Sequence, residues 1–137
     1  MKAPPLALLS AAAFALNNAA ARRGVKVRVL LDQLYGLPDP NLQASLAGQH
    51  ANFELRLYNP TFNEAATQKL QFAAGILCCF RRFNQRMHTK LLLVDDRIGI
   101  SGGRNYQDDY FDWDAEYNFR DRDVLVAGPE AAAMAAN

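Results

Sequence analysis

Apolar and polar residues change their period several times along this chain, and the changes lay out its elements. Residues 1–23, MKAPPLALLSAAAFALNNAAARR, are Ala-rich and apolar, opened by Pro4 and Pro5 and closed by Arg22, Arg23 and Gly24. Prolines at the start and cations at the C-terminal end of the dipole predict an N-terminal helix over 1–23. From Val25 the period becomes two. Val25, Val27 and Val29 alternate with Lys26 and Arg28 before the run turns wholly apolar, which predicts a strand entering a covered sheet. YGLPDPNLQASLAGQH carries turn residues, and then Asp39 before Pro40 predicts a capped short helix ending near Gly48. NFELRLYN, with Phe53, Leu55 and Leu57 on one face, is a second strand. Beyond Pro60, Leu70, Ala73, Ala74 and Leu77 recur at helical spacing, and the helix they predict loosens near Arg81.

The run MHTKLLLVDD predicts a third strand and RIGIS its antiparallel partner, while RDRDVLVAGP is a last strand stopping at Gly128 and Pro129. The tail EAAAMAAN begins a further helix. Strands alternating with helices predict an α/β fold, a mixed β-sheet flanked by helices in an α-β-α sandwich, as a single domain over 1–137.

Composition narrows the chemistry. Fifteen basic residues against fourteen acidic ones leave a net charge of +1, which excludes nucleic-acid coating by bulk charge and makes any polyanion binding local. The only cysteines, Cys78 and Cys79, are adjacent, and neighbours in a helix point apart, so reduced thiols are expected. The N-terminus also imitates a secretory signal, a reading that stands beside the helix. Its apolar run, Leu6 to Leu16, is shorter than the roughly 20 residues that span a bilayer.

In a strand, side chains two apart share a face, so His88 and Lys90 project together at one end of the third strand. A two-residue turn at Asp96 and Arg97 sets Asp95 opposite Ile98, Lys90 opposite Gly103 and His88 opposite Asn105, and a longer turn shifts this by a residue or two. Gly102 and Gly103 let a ligand or another backbone approach where the lysine arrives. A phosphate-like anion fits, with Lys90 and the Asn105 amide as donors and the neutral His88 imidazole as nucleophile. Each residue alone has an ordinary structural reading. The joint spacing is what points to a site: His88, one residue, Lys90, four, Asp95, six, Gly102 and Gly103, one, Asn105.

That spacing resembles the signature of the phospholipase D superfamily, and RLYNP, NQRMHTKLLLVDDRIGISGGRNYQDDYF and NFRDRDVLVAGP resemble the first catalytic half of bacterial cardiolipin synthases and their close relatives. Gly103 stands where many superfamily members carry serine. The resemblance implies transfer through a covalent phosphohistidine, with His88, Lys90, Asp95 and Asn105 as the catalytic set. It implies that Lys90 and Asn105 bind the phosphoryl oxygens and that no metal or organic cofactor is needed; Gly102 and Gly103 complete the substrate-binding set by imposing no bulk, and Asp95, at the far end of the strand, is expected to tie the hairpin turn. A carboxylate must orient the imidazole; Asp121 is the candidate, with Asp123 second.

The implied activity is that of a phosphatidyltransferase or phospholipase D-type enzyme acting on phosphatidylglycerol or a similar phospholipid, at the cytoplasmic face of the inner membrane as a peripheral protein. Such enzymes build one site from two motifs. His50, in AGQHANF, has no lysine two residues on and does not supply the second. The partner half is then expected from the same longer chain or from a second copy in a homodimer. Two alternatives remain open: a phosphodiesterase or endonuclease acting on nucleic acid as a homodimer, and an inactive single-motif fragment. Arg81, Arg82, Arg86 and Arg104 either draw an anionic substrate or only solvate the surface. The run from Asp108 to Asp114 lacks histidines at metal-ligand spacing and reads as packed aromatics with solvated acids, with Tyr110 and Trp113 alternatively at a membrane interface.

Overall fold

A computed structural model describes residues 6–34, 39–105 and 108–136. The helix start at Pro4 and Pro5, the 35–38 part of the turn-rich stretch, and Tyr106 and Gln107 of the aromatic run lie outside them. The chain forms two compact units, one over Ala13–Met87 and a second that includes His88 onward.

In the first unit, β1 (Val27–Asp32) and β2 (Phe53–Tyr58) pair in parallel, with Val27 opposite Phe53 and Asp32 opposite Tyr58. A parallel pair needs a crossover, and α2 (Pro40–Ala47) provides it. The sequence starts α2 as its cap predicts: the Asp39 carboxylate accepts from the N–H groups of Asn41 at 2.9 Å and Leu42 at 3.4 Å. The end of α1 (Leu6–Arg22) brings Ala21 against Leu46 and Phe53, and these three buried residues form the core, wrapped by Phe14, Val27, Val29, Leu31 and Leu55.

The helix α3 (Lys69–Phe83) starts with a reciprocal pair, in which Gln68 N–H donates to the Gln71 side chain at 2.8 Å and the Gln68 side chain accepts in return. It leaves helical geometry at Cys79, with φ −143° and ψ 33°, two residues before the expected break at Arg81. That departure corrects the reduced-thiol expectation. Cys78 and Cys79 are joined as a disulfide, because a non-helical Cys79 swings its side chain toward its neighbour instead of away.

In the second unit, β3 (Lys90–Val94), β4 (Ile98–Gly102) and β5 (Asp123–Ala127) form an antiparallel sheet in that order. The hairpin turn holds three residues, not two. Asp95 and Asp96 take positive φ of 50° and 53°, and Arg97 N–H closes onto the Val94 carbonyl at 3.0 Å. Val94 therefore faces Ile98, and the ladder sets Lys90 opposite Gly102, one residue short of the two-residue-turn register. One face carries Lys90, Leu92, Val94, Ile98, Ile100 and Leu125; on the other, Met134 of the 3₁₀ segment Pro129–Ala136 lies against Gly99. Helices with parallel pairing in one unit and antiparallel pairing in the other make this an α/β protein with mixed strand pairing. Among the described residues no helix is long and apolar enough to cross a membrane.

Candidate active site

Lys90 opens β3 opposite Gly102, and the same rung continues to Asp123 at the start of β5. Side chains on one rung share a face, so the ammonium and the carboxylate flank a glycine that offers no bulk between them. His88 lies two residues upstream of the ladder, exposed, on a segment that no strand pairing holds. Asn105 follows the same turn three residues after Gly102 and is half-buried. Among the described residues, the side chains of His88, Lys90 and Asn105 have no hydrogen bond or ion pair.

The two glycines are needed for a reason that sequence spacing does not reveal. A Cβ on Gly102 would run into the Asp123 carboxylate and come within 2.8 Å of the Arg122 carbonyl oxygen. A Cβ on Gly103 would run into the Asp121 carboxylate. What approaches closely is thus a pair of acids from the entry to β5. Asp121 also accepts from the Arg122 N–H at 2.7 Å, and it makes no hydrogen bond to His88 among the described residues.

Asp95 is not brought to this end. It sits in the hairpin turn beyond Val94, five strand rises or roughly 16 Å from Lys90. The aromatic run packs on itself: Tyr110 stacks on Phe119 with ring centroids 4.7 Å apart, Tyr117 meets Phe119 edge-on at 5.0 Å, and Trp113 stays 61% exposed. Asp114 organises the following turn by accepting from the N–H groups of Glu116 at 2.8 Å and Tyr117 at 3.0 Å. The Tyr117 bond, then the Glu116 bond, hold its carboxyl below the ordinary aspartate range. Among the described residues no three histidine, cysteine or acidic side chains are grouped to hold a metal.

Two of the four arginines named from sequence are committed to acids. Arg86 pairs with Asp32 at 3.1 Å, both side chains 7% exposed, and Arg104 pairs with Asp123. Asp32 is a residue the sequence did not single out: its other oxygen accepts from the Met87 N–H at 2.9 Å, immediately before His88. An aspartate ending an apolar strand was its only signal.

Residues 9–134 match the family described as "Cardiolipin synthase, PLD-like domain". The chain belongs to this family. Cardiolipin synthase C of Escherichia coli is 40% identical over 116 residues, which cover 85% of this chain and 23% of that protein. Cardiolipin synthase B of Salmonella typhi is 35% identical over 115 residues, 82% of this chain and 24% of that relative. An uncharacterized protein of Helicobacter pylori is 41% identical over 113 residues, again 82% of this chain and 22% of the relative. The chain thus spans about a quarter of the length of these relatives. No solved structure gives a significant match.

Proposed function

We propose that this PLD-like domain is one half of a phosphatidyltransferase, acting on the phosphodiester of phosphatidylglycerol or a similar lipid through a phosphohistidine. The observation that carries the reading is the joint placement of Lys90 opposite Gly102, with His88 just upstream and Asn105 just downstream, the side chains of His88, Lys90 and Asn105 making no hydrogen bond or ion pair among the described residues. In the first step a neutral ring nitrogen of His88 forms a bond to phosphorus while the bond from phosphorus to the leaving alcohol oxygen breaks. Lys90 and the Asn105 amide donate to the non-bridging oxygens, whose charge grows in the transition state. The departing alkoxide takes a proton from an acid that a second such motif supplies. An acceptor alcohol then attacks phosphorus from that side, passing its proton to the same second-motif group, now a base, as the bond from phosphorus to His88 breaks. Asp121 is the proposed orienting carboxylate, with Asp123 second. Asp95 serves the hairpin turn, and no metal or organic cofactor enters.

The second motif comes from the remainder of a longer chain or from a second copy, and the protein works as a peripheral membrane protein on the cytoplasmic face. Support for a lipid substrate comes from the names of the relatives, two of which are cardiolipin synthases. Supplying the protein with labelled phosphatidylglycerol vesicles and, separately, with single-stranded and duplex DNA tests the substrate class. Turnover of lipid and not of DNA is expected, and turnover of DNA alone contradicts the assignment.

A further inference from the structure

Arg104 stands between Gly103 and Asn105, where a cation beside a phosphoryl site would ordinarily be taken as a ligand for the anion. Its contacts point elsewhere. Nη1 donates to the Tyr110 carbonyl oxygen at 2.9 Å and Nη2 to the Asp121 carbonyl oxygen at 2.9 Å. Nε lies 2.9 Å from Asp123 Oδ2, as an ion pair without an aligned hydrogen bond, and the guanidinium sits 5.6 Å from the centre of the Phe111 ring. The side chain is 34% exposed. One planar group therefore binds the short 3₁₀ turn at Asp108–Tyr110, the segment ahead of β5 and the first residue of β5, all from the turn that carries the glycines and Asn105.

Two consequences follow from the chemistry. The Asp123 carboxylate neutralises the guanidinium, which weakens its pull on a second anion. A rigid fork with five donors can serve separate acceptors at once, and an ammonium cannot reproduce that arrangement. We infer that Arg104 is a positioning residue, holding the Gly102–Asn105 segment against Asp121 and Asp123 so that Asn105 and Lys90 present their donors to one phosphoryl group, and that it does not itself bind substrate. The inference rests on the proposed reading of this site as a phosphoryl site.

The test is orthovanadate binding to the full chain, followed by the backbone amide NMR signals of Lys90, Gly102, Gly103 and Asn105. Wild type is expected to show shifts at these residues. Arg104→Lys and Arg104→Met should both weaken binding by about tenfold or more, although the lysine keeps the charge, while the remaining spectrum stays that of the folded chain. In an Asn105→Ala background, Arg104→Met should add little, because the arginine acts through that amide. Wild-type affinity in Arg104→Lys, a fully additive Arg104→Met effect, or a wild type with no shifts at these residues would each overturn the inference. Orthovanadate bound as expected by a chain that transfers no phosphoryl group would sink the catalytic reading and leave the positioning role standing.

Discussion

The Asp32 carboxylate holds the Arg86 guanidinium at 3.1 Å with both side chains 7% exposed, and the same carboxylate takes the Met87 N–H at 2.9 Å. Arg86 in turn donates to the Asn59 carbonyl oxygen at 3.0 Å, so the pair ties the end of β1 to the last residues before His88. Removing one partner leaves a buried charge without compensation. Asp32→Ala is expected to destabilise the folded chain by about 3–5 kcal/mol, and the double variant Asp32→Leu with Arg86→Met by clearly less than the sum of its parts. Urea unfolding of the two single variants and the double variant checks this; additive losses would show that the pair is not coupled.

Gly102 and Gly103 meet different obstacles, and that difference sets the order of their substitutions. The nearest atoms a Cβ at Gly103 would meet belong to the Asp121 side chain, which can rotate away, whereas at Gly102 it also meets the Arg122 backbone oxygen at 2.8 Å. Gly102→Ala should therefore cost about 1–3 kcal/mol and Gly103→Ala less. Thermal melting of both variants reads the order, and an equal or reversed cost would refute the close approach of β5.

Acid should loosen the turn after Trp113 through Asp114. Its folded pKa lies below the roughly 3.9 of a free aspartate, so its contribution to order is complete above that value and is lost as pH falls through the lower folded one. The amide signals of Glu116 and Tyr117 should move together in that acid range, and Asp114→Ala should abolish the shared transition. Amides that stay fixed to the acid limit would contradict the assignment.

Lys90 donates to growing negative charge in the proposed transition state. Lys90→Ala should lower transition-state stabilisation by about 3 kcal/mol, seen mainly in kcat, in protein whose melting temperature is little changed. An unchanged kcat removes Lys90 from the chemistry.

Local signals in the sequence reached most of the elements. Asp39 with Pro40 marked the start of α2, alternation marked β1 and β2, and the apolar run MHTKLLLVDD followed by RIGIS marked the β3–β4 hairpin. The register slipped by one because turn length depends on Asp95 and Asp96 adopting positive φ, which aspartate permits without announcing as glycine or asparagine would. Spacing brought Lys90 to within one residue of its observed partner Gly102, while His88 and Asn105 lie beyond the paired strands. It was silent on Asp123 filling the space beside Gly102, and on Asp32 and Asp123 occupying Arg86 and Arg104, because such pairs join residues distant in sequence. The disulfide escaped for the opposite reason: a helical pattern was extended through Cys79, where the backbone leaves it.

The most direct measurement is acid-quench trapping with a phosphorus-labelled nitrophenyl phosphodiester, whose phenolate departs without a proton and so needs no acid from a second motif. The account predicts label that is stable to base, lost in acid on prolonged standing, mapped to His88, and absent in His88→Asn. Label that persists in that variant, or that maps to another residue, contradicts it.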